Sequence, residues 1–187
     1  MRTWTVPNQI TLLRLGFLPF FLILVFYGRF GWALAILILA ALSDGADGLL
    51  ARHLNQGSAL GAYLDPIADK LLLSSSFLIL AFGKQMAWWL TILVLSRDVM
   101  ILAVAAVILL VSGYRPFPPS FYGKLTTMAQ IVLVFGVVLA AATHWHWHWL
   151  ARVNHLLLYV VAALTVFSGF HYSIVIARRL ERFFLRA

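Results

Sequence analysis

Six apolar runs, each long enough to cross a bilayer and separated only by short clusters of turn or charged residues, make up most of the chain: residues 11–27, 31–50, 58–82, 87–112, 125–143 and 150–177. A spanning helix needs roughly 20 mostly apolar residues. In hydrocarbon such a run must satisfy its own backbone hydrogen bonds, and the strict alternation of a barrel strand is absent, so every run is expected to be helical. With 63% hydrophobic and 11% charged residues and a mean hydropathy of +0.95, the chain falls outside the composition of a soluble domain. The expectation is an all-α integral membrane protein of six transmembrane helices, in which residues 1–187 form a single membrane domain. Arg2 before the first apolar run imitates a signal peptide, but no small-residue cleavage site follows and further spans do, so a retained first helix is expected. The chain contains no cysteine, which excludes disulfides and thiolate metal sites.

Six spans put both termini on one side of the membrane. If that side is cytoplasmic, the inner segments hold Arg2, Arg52, Arg115, Lys124, Arg178, Arg179, Arg182 and Arg186, and the outer loops hold only Arg29, Lys84 and Arg152. That asymmetry satisfies the positive-inside rule and places the N- and C-termini in the cytoplasm. It also accounts for the net charge of +8 without nucleic acid, because the basic C-terminal segment reads most simply as an anchor on anionic headgroups.

Of the six acidic residues in the chain, four, Asp44, Asp47, Asp65 and Asp69, fall within 26 positions at the second and third spans. An ionisable residue at membrane depth costs about 2.5–3.5 kcal/mol on insertion scales, so it normally faces a cavity or a partner and marks a functional site. Asp44 and Asp47, three apart, share one helix face, and so do Gly61, Asp65 and Asp69 at intervals of four. A short polar turn at Asn55, Gln56 and Gly57 makes the two helices antiparallel neighbours, and folding about Gln56 sets Asp47 level with Asp65 and Asp44 level with Asp69.

Four carboxylates converging near the cytoplasmic face would repel one another and resist desolvation. Two divalent cations balance them, and all-oxygen ligation without histidine suits Mg2+ or Mn2+ rather than zinc. A metal pair is a common clamp for a diphosphate during displacement at phosphorus. Gly48 and Gly61 clear side chains where a nucleotide would approach, and Arg52 offers a permanent cation to a phosphate oxygen. The competing reading, structural ion pairs with Arg52, Lys70 and Arg97, leaves four acids against three bases.

From Asp44 to Asp69 the sequence DGADGLLARHLNQGSALGAYLDPIAD reads DxxDGxxAR, eight residues, then GxxxDxxxD. This resembles the signature of the CDP-alcohol phosphatidyltransferase family, matched without a substitution. The resemblance extends to PNQITLLR from Pro7, SRDVMI from Ser96 and GKLTTMAQ from Gly123. It implies six helices and attack by an acceptor hydroxyl on the phosphatidyl phosphorus of a CDP-activated lipid, with CMP leaving. It also implies two metal ions on Asp44, Asp47, Asp65 and Asp69, with Asp69 the candidate general base, and a CDP site formed by Asp47, Gly48, Arg52, Gly61 and Asp65. A homodimer is implied by the same resemblance.

Within the family, SRDVMI and the later SGFHY look more like the CDP-diacylglycerol-dependent cardiolipin synthases, whose acceptor is phosphatidylglycerol, than the phosphatidylglycerophosphate synthases, whose acceptor is glycerol 3-phosphate. The latter usually show RE where this chain has Arg97 and Asp98, and GKxKT where Thr126 replaces the second lysine. A phosphate monoester carries nearly two charges and favours a cluster of cations. Arg97, Lys124 and Arg115 are the candidates for acceptor binding, a set better matched to a phosphodiester.

Several other residues admit a plain explanation. The alternating His and Trp of residues 144–149 invite a metal reading, but a tryptophan belt at the outer interface explains them better. Pro66 is expected to loosen the helix beside Asp65. Asn8, Thr11 and Arg14 are either an interfacial cap and anchor or a strip facing headgroups, and Lys70 and Arg97 either pair with nearby acids or touch substrate phosphate. A divalent-cation transporter is the main alternative of another class. It fits poorly because the acids cluster at one face with no polar relay beyond them. A membrane prenyltransferase generally needs more spans, and a scaffold gives no reason to bury four carboxylates.

General-base help at a hydroxyl is worth ~10²–10⁴ in rate. Asp69→Asn is therefore expected to cut turnover by about that factor while leaving binding of the CDP-lipid, measured by titration, much less affected. Near-normal turnover in this variant would remove Asp69 from the base role.

Overall fold

The computed structural model describes residues 6–54, 59–112, 121–143 and 148–184, and within them the side-chain surroundings of 15–43, 69–103, 121–143 and 149–172. Six α-helices follow one another: α1 (Val6–Phe26), α2 (Phe30–Leu54), α3 (Ala59–Phe82), α4 (Trp88–Ser112), α5 (Phe121–Ala142) and α6 (His148–Phe184). Each coincides with one of the apolar runs, and no strand occurs among the described residues. Two boundaries differ from the sequence expectation. α5 begins at Phe121, a turn before the apolar run, and α6 continues for 37 residues, so that Arg178, Arg179 and Arg182 lie on helix. At 1.5 Å per residue α6 is about 55 Å long, well beyond the ~30 Å hydrocarbon thickness. α3 runs through Pro66 as one helix, so the expected loosening does not interrupt it.

The chain divides into two compact units, one from Met1–Met86 and Val134–Leu150, the other from Ala87–Leu133 and Ala151–Ala187. In the first, α1 packs on both α2 and α3. The buried residues follow helical spacing: Phe21 and Val25 on α1, Ala33, Leu37 and Ala40 on α2, and Leu73, Phe77, Leu80 and Ala81 on α3. Ala33 and Ala40 keep the buried stripe of α2 thin, which suits close packing in a membrane bundle.

In the second unit the buried stripes are partly polar. They comprise Leu90, Thr91, Val94, Arg97 and Asp98 on α4, Thr126, Gln130 and Leu133 on α5, and Val161, Thr165 and Ser168 on α6. Much of this polarity is absorbed locally: Thr126 Oγ1 donates to the Tyr122 carbonyl at 2.8 Å and Thr165 Oγ1 to the Val161 carbonyl at 2.7 Å. Large apolar side chains point outward instead, with Phe26 74%, Phe121 74% and Leu156 67% exposed. A polar-striped interior under an apolar exterior suits hydrocarbon surroundings. Among the described residues, Phe121–Ala142 and Trp149–Tyr172 are long and apolar enough to cross a membrane, with mean hydropathies of 2.2 and 1.7.

Two helices of the first unit end in the same motif. In α1 the Gly28 and Arg29 amides donate to the Val25 and Leu24 carbonyls, and in α3 the Lys84 and Gln85 amides donate to those of Ala81 and Leu80. These paired bonds satisfy carbonyls that a helix end otherwise leaves orphaned, and they require a left-handed residue. Gly28 supplies it with φ +69°, whereas in α3 the residue is Lys84 with φ +57°. A side chain in that region costs roughly 1–2 kcal/mol. Gly28→Ala is expected to destabilise the protein by about 1 kcal/mol, and Lys84→Gly to leave stability unchanged or raise it, as read from thermal unfolding in detergent.

Candidate functional site

The acidic motif lies on two helices of the first unit. α2 carries Asp44, Asp47, Gly48 and Arg52, and α3 carries Gly61, Asp65 and Asp69. The helical backbone expected from their spacing is thus present on both sides of the turn, and the two carrier helices share α1 as a packing partner. Asp69 is exposed and Lys70 half-buried, and both are engaged in interactions. The side chains of Asp44, Asp47, Arg52 and Asp65 and the surroundings of Gly48 and Gly61 lie outside the described residues. Among the described residues no group of three His, Cys, Asp or Glu side chains assembles, a set that includes only one of the four aspartates. As a donor set the four carboxylates fit a hard divalent cation, and the continuous helices on which they sit are rigid carriers for it.

The expected acceptor-binding residues belong to the second unit. Lys124 is exposed in the first turn of α5, Arg97 is buried on α4, and Arg115 lies outside the described residues, as does the His-Trp segment 144–147. The partner of Arg97 is its chain neighbour: Nη1 donates to Asp98 Oδ1 at 2.8 Å, with the two side chains only 6% and 5% exposed. Nη2 donates to Ser168 Oγ on α6 at 2.9 Å, and Nε is buried without a hydrogen-bond partner among the described residues. The guanidinium thus belongs to a polar cluster shared by α4 and α6.

The α5–α6 contact completes the surroundings. The Tyr122 ring meets Phe167 and His171, each at a centroid distance of 5.0 Å. Thr126 is fully buried, and its hydroxyl also reaches the Leu164 carbonyl on α6 at 3.3 Å. The position at which the related glycerol 3-phosphate enzymes carry a second lysine therefore faces a helix contact here.

The reading from sequence missed Ser168 and the pairing of Arg97 with Asp98. Residues adjacent in a helix point about 100° apart, so spacing rules give no hint of an i,i+1 pair. Ser168 had a signal, since Val161, Thr165 and Ser168 keep helical spacing and two of the three are polar within an apolar span.

Comparison with known proteins gives a consistent picture. The family model described as CDP-alcohol phosphatidyltransferase matches residues 4–178. A human cardiolipin synthase (CMP-forming) is 30% identical over 91% of this chain and 62% of its own length, so the chain spans somewhat under two thirds of that relative. A cardiolipin synthase (CMP-forming) of Streptomyces coelicolor is 37% identical over 77% of the chain and 69% of its own length. A Mycobacterium tuberculosis protein described as a probable phosphatidylglycerophosphate synthase is 38% identical over 71% of the chain and 65% of its own length.

Breaking a buried ion pair by removing one partner typically costs about 3–5 kcal/mol, whereas replacing both with apolar residues of similar volume is often neutral. Asp98→Ala is expected to destabilise by roughly that amount, and the double variant Arg97→Met/Asp98→Leu to recover most of it, as measured by thermal unfolding. Equal losses in the single and double variants would show that the pair is not the source.

Proposed function

The chain belongs to the CDP-alcohol phosphatidyltransferase family, and from that membership we propose that it transfers the phosphatidyl group of CDP-diacylglycerol to an alcohol, with release of CMP and with phosphatidylglycerol as the acceptor. The observation that carries the reading is the complete DxxDGxxAR and GxxxDxxxD signature, laid out on α2 and α3. The acceptor oxygen forms a new bond to the phosphatidyl phosphorus, the bond from that phosphorus to the CMP oxygen breaks, and the hydroxyl proton passes to the Asp69 carboxylate. Asp44, Asp47, Asp65 and Asp69 would hold two Mg2+ or Mn2+ ions. When bound, these would neutralise charge on the diphosphate and on the departing CMP. Gly48, Arg52 and Gly61, with Asp47 and Asp65, bind the CDP moiety, Arg52 by a charge-assisted hydrogen bond.

Arg97, Lys124 and Arg115 receive the acceptor phosphate. The relatives named above include enzymes of both acceptor classes at similar identity, so identity alone does not choose between them. Charge favours phosphatidylglycerol. Asp98 neutralises Arg97, and Thr126 occupies a buried helix contact, which leaves Lys124 as the exposed member of the proposed cations among the described residues. A phosphodiester needs one countercharge, and the monoester glycerol 3-phosphate nearly two. In this reading the chain is one membrane domain of six spans with both termini and the aspartates at the cytoplasmic face, working as a homodimer in the bilayer.

Protein purified in detergent, supplied with CDP-diacylglycerol and Mg2+, is expected to release CMP and form lipid product with phosphatidylglycerol and not with glycerol 3-phosphate, and to stop on addition of EDTA. Release with glycerol 3-phosphate alone would reassign the acceptor. Metal binding without CMP release from any alcohol would favour the cation-transporter reading instead.

A further inference from the structure

α4 and α6 run side by side in the second unit. Trp89 lies against Tyr159 with ring centroids 6.2 Å apart, and a methyl group placed on Gly169 would stand 3.6 Å from Met100 Cε and 4.0 Å from Arg97 Cγ. Between these contacts the Arg97 guanidinium is held at two points by different helices, Asp98 of α4 on Nη1 and Ser168 of α6 on Nη2. The two contacts differ in kind. Asp98 supplies the countercharge, but it sits on the same helix as Arg97 and next to it, so on its own it leaves the plane of the guanidinium free to turn about one bond. Ser168 is neutral and adds nothing to the charge balance. Its oxygen gives the fork a second fixed point, and two points on a planar group define its orientation.

We propose that Ser168 is a positioning residue for the acceptor: from α6 it fixes the Arg97 guanidinium so that the donors left over, Nε–H and one N–H on each terminal nitrogen, are pre-oriented toward the phosphate of the incoming alcohol. The buried Nε, with no hydrogen-bond partner among the described residues, is the donor in this group that protein contacts leave unsatisfied. The inference rests on the reading in which Arg97 meets the acceptor phosphate. It adds a residue of α6, outside the acidic signature, that acts on one substrate and not on the other.

The test is a steady-state comparison of wild type, Ser168→Ala and Ser168→Thr in mixed micelles, varying phosphatidylglycerol and CDP-diacylglycerol separately and recording thermal unfolding of each protein. Ser168→Ala is expected to raise KM for phosphatidylglycerol about tenfold, the scale of a lost hydrogen bond to a charged group, with KM for CDP-diacylglycerol and the unfolding midpoint little changed. Ser168→Thr, which keeps the hydroxyl, is expected to restore the acceptor KM. An unchanged acceptor KM in active Ser168→Ala would overturn the inference. So would parallel rises in both KM values, or a lowered midpoint that accounts for the loss, because either would make Ser168 a helix brace only. Failure of the functional reading is visible separately: wild type that releases no CMP with any alcohol overturns that reading, and this inference with it.

Discussion

Hydrocarbon supplies no hydrogen-bond partner and no countercharge, and the rest of this structure follows from having to provide both from within the chain. Backbone groups are satisfied by making each apolar segment helical, and helix ends by capping bonds such as those around Gly28 and Lys84. Buried hydroxyls on α5 and α6 return their protons to carbonyls one turn back. Charges cannot be treated in that way. The Arg97 guanidinium survives at depth because Asp98 stands beside it and Ser168 takes a second N–H.

The two acidic features of the chain stand in contrast on this ground. Asp98 is matched one-to-one with a cation 2.8 Å away and needs nothing from outside the protein. The four signature aspartates sit on helices that carry Arg52 and Lys70 as neighbouring bases, so their charge exceeds what those bases cancel. An excess of that kind at a membrane face is a demand for cations, and a protein that meets it with divalent ions gains a site for the phosphates of a lipid nucleotide. Structural neutrality on α4 and a charge deficit on α2 and α3 are thus two answers to one solvent.

Much of this was legible in the sequence because the bilayer simplifies the code. Helix existence and type follow from runs of apolar residues, and all six helices appear where those runs stand. The ends were less legible. α6 continues to Phe184 because arginines 178, 179 and 182, which mark the end of the apolar run, are good helix formers and do not end the helix itself. α5 starts at Phe121 for a similar reason, since Gly123 and Lys124 interrupt hydropathy without interrupting the backbone. The acidic signature could be read in full, as composition, spacing and family pattern all converge on it. The Arg97 cluster could be read only as a set of alternatives, because a long flexible side chain beside an acid can turn to its neighbour, to another helix or to a substrate, and helical spacing does not choose.

The choice the structure makes at Arg97 bears on acceptor chemistry more than the residue's identity does. An arginine counted from sequence is one full positive charge available to a phosphate. An arginine paired with a buried aspartate contributes geometry, in the form of a fixed planar fork, while the net charge of the pair is close to zero. A site built on such a pair can discriminate by shape and hydrogen bonding, yet it has little with which to hold a dianion. The buried Thr126 works in the same direction, because its hydroxyl is committed to carbonyls of α5 and α6 and the surrounding contact has no water to solvate a lysine ammonium. An acceptor bearing one negative charge and two acyl chains is the better match, since the chains stay in the bilayer and the headgroup has only to present a hydroxyl.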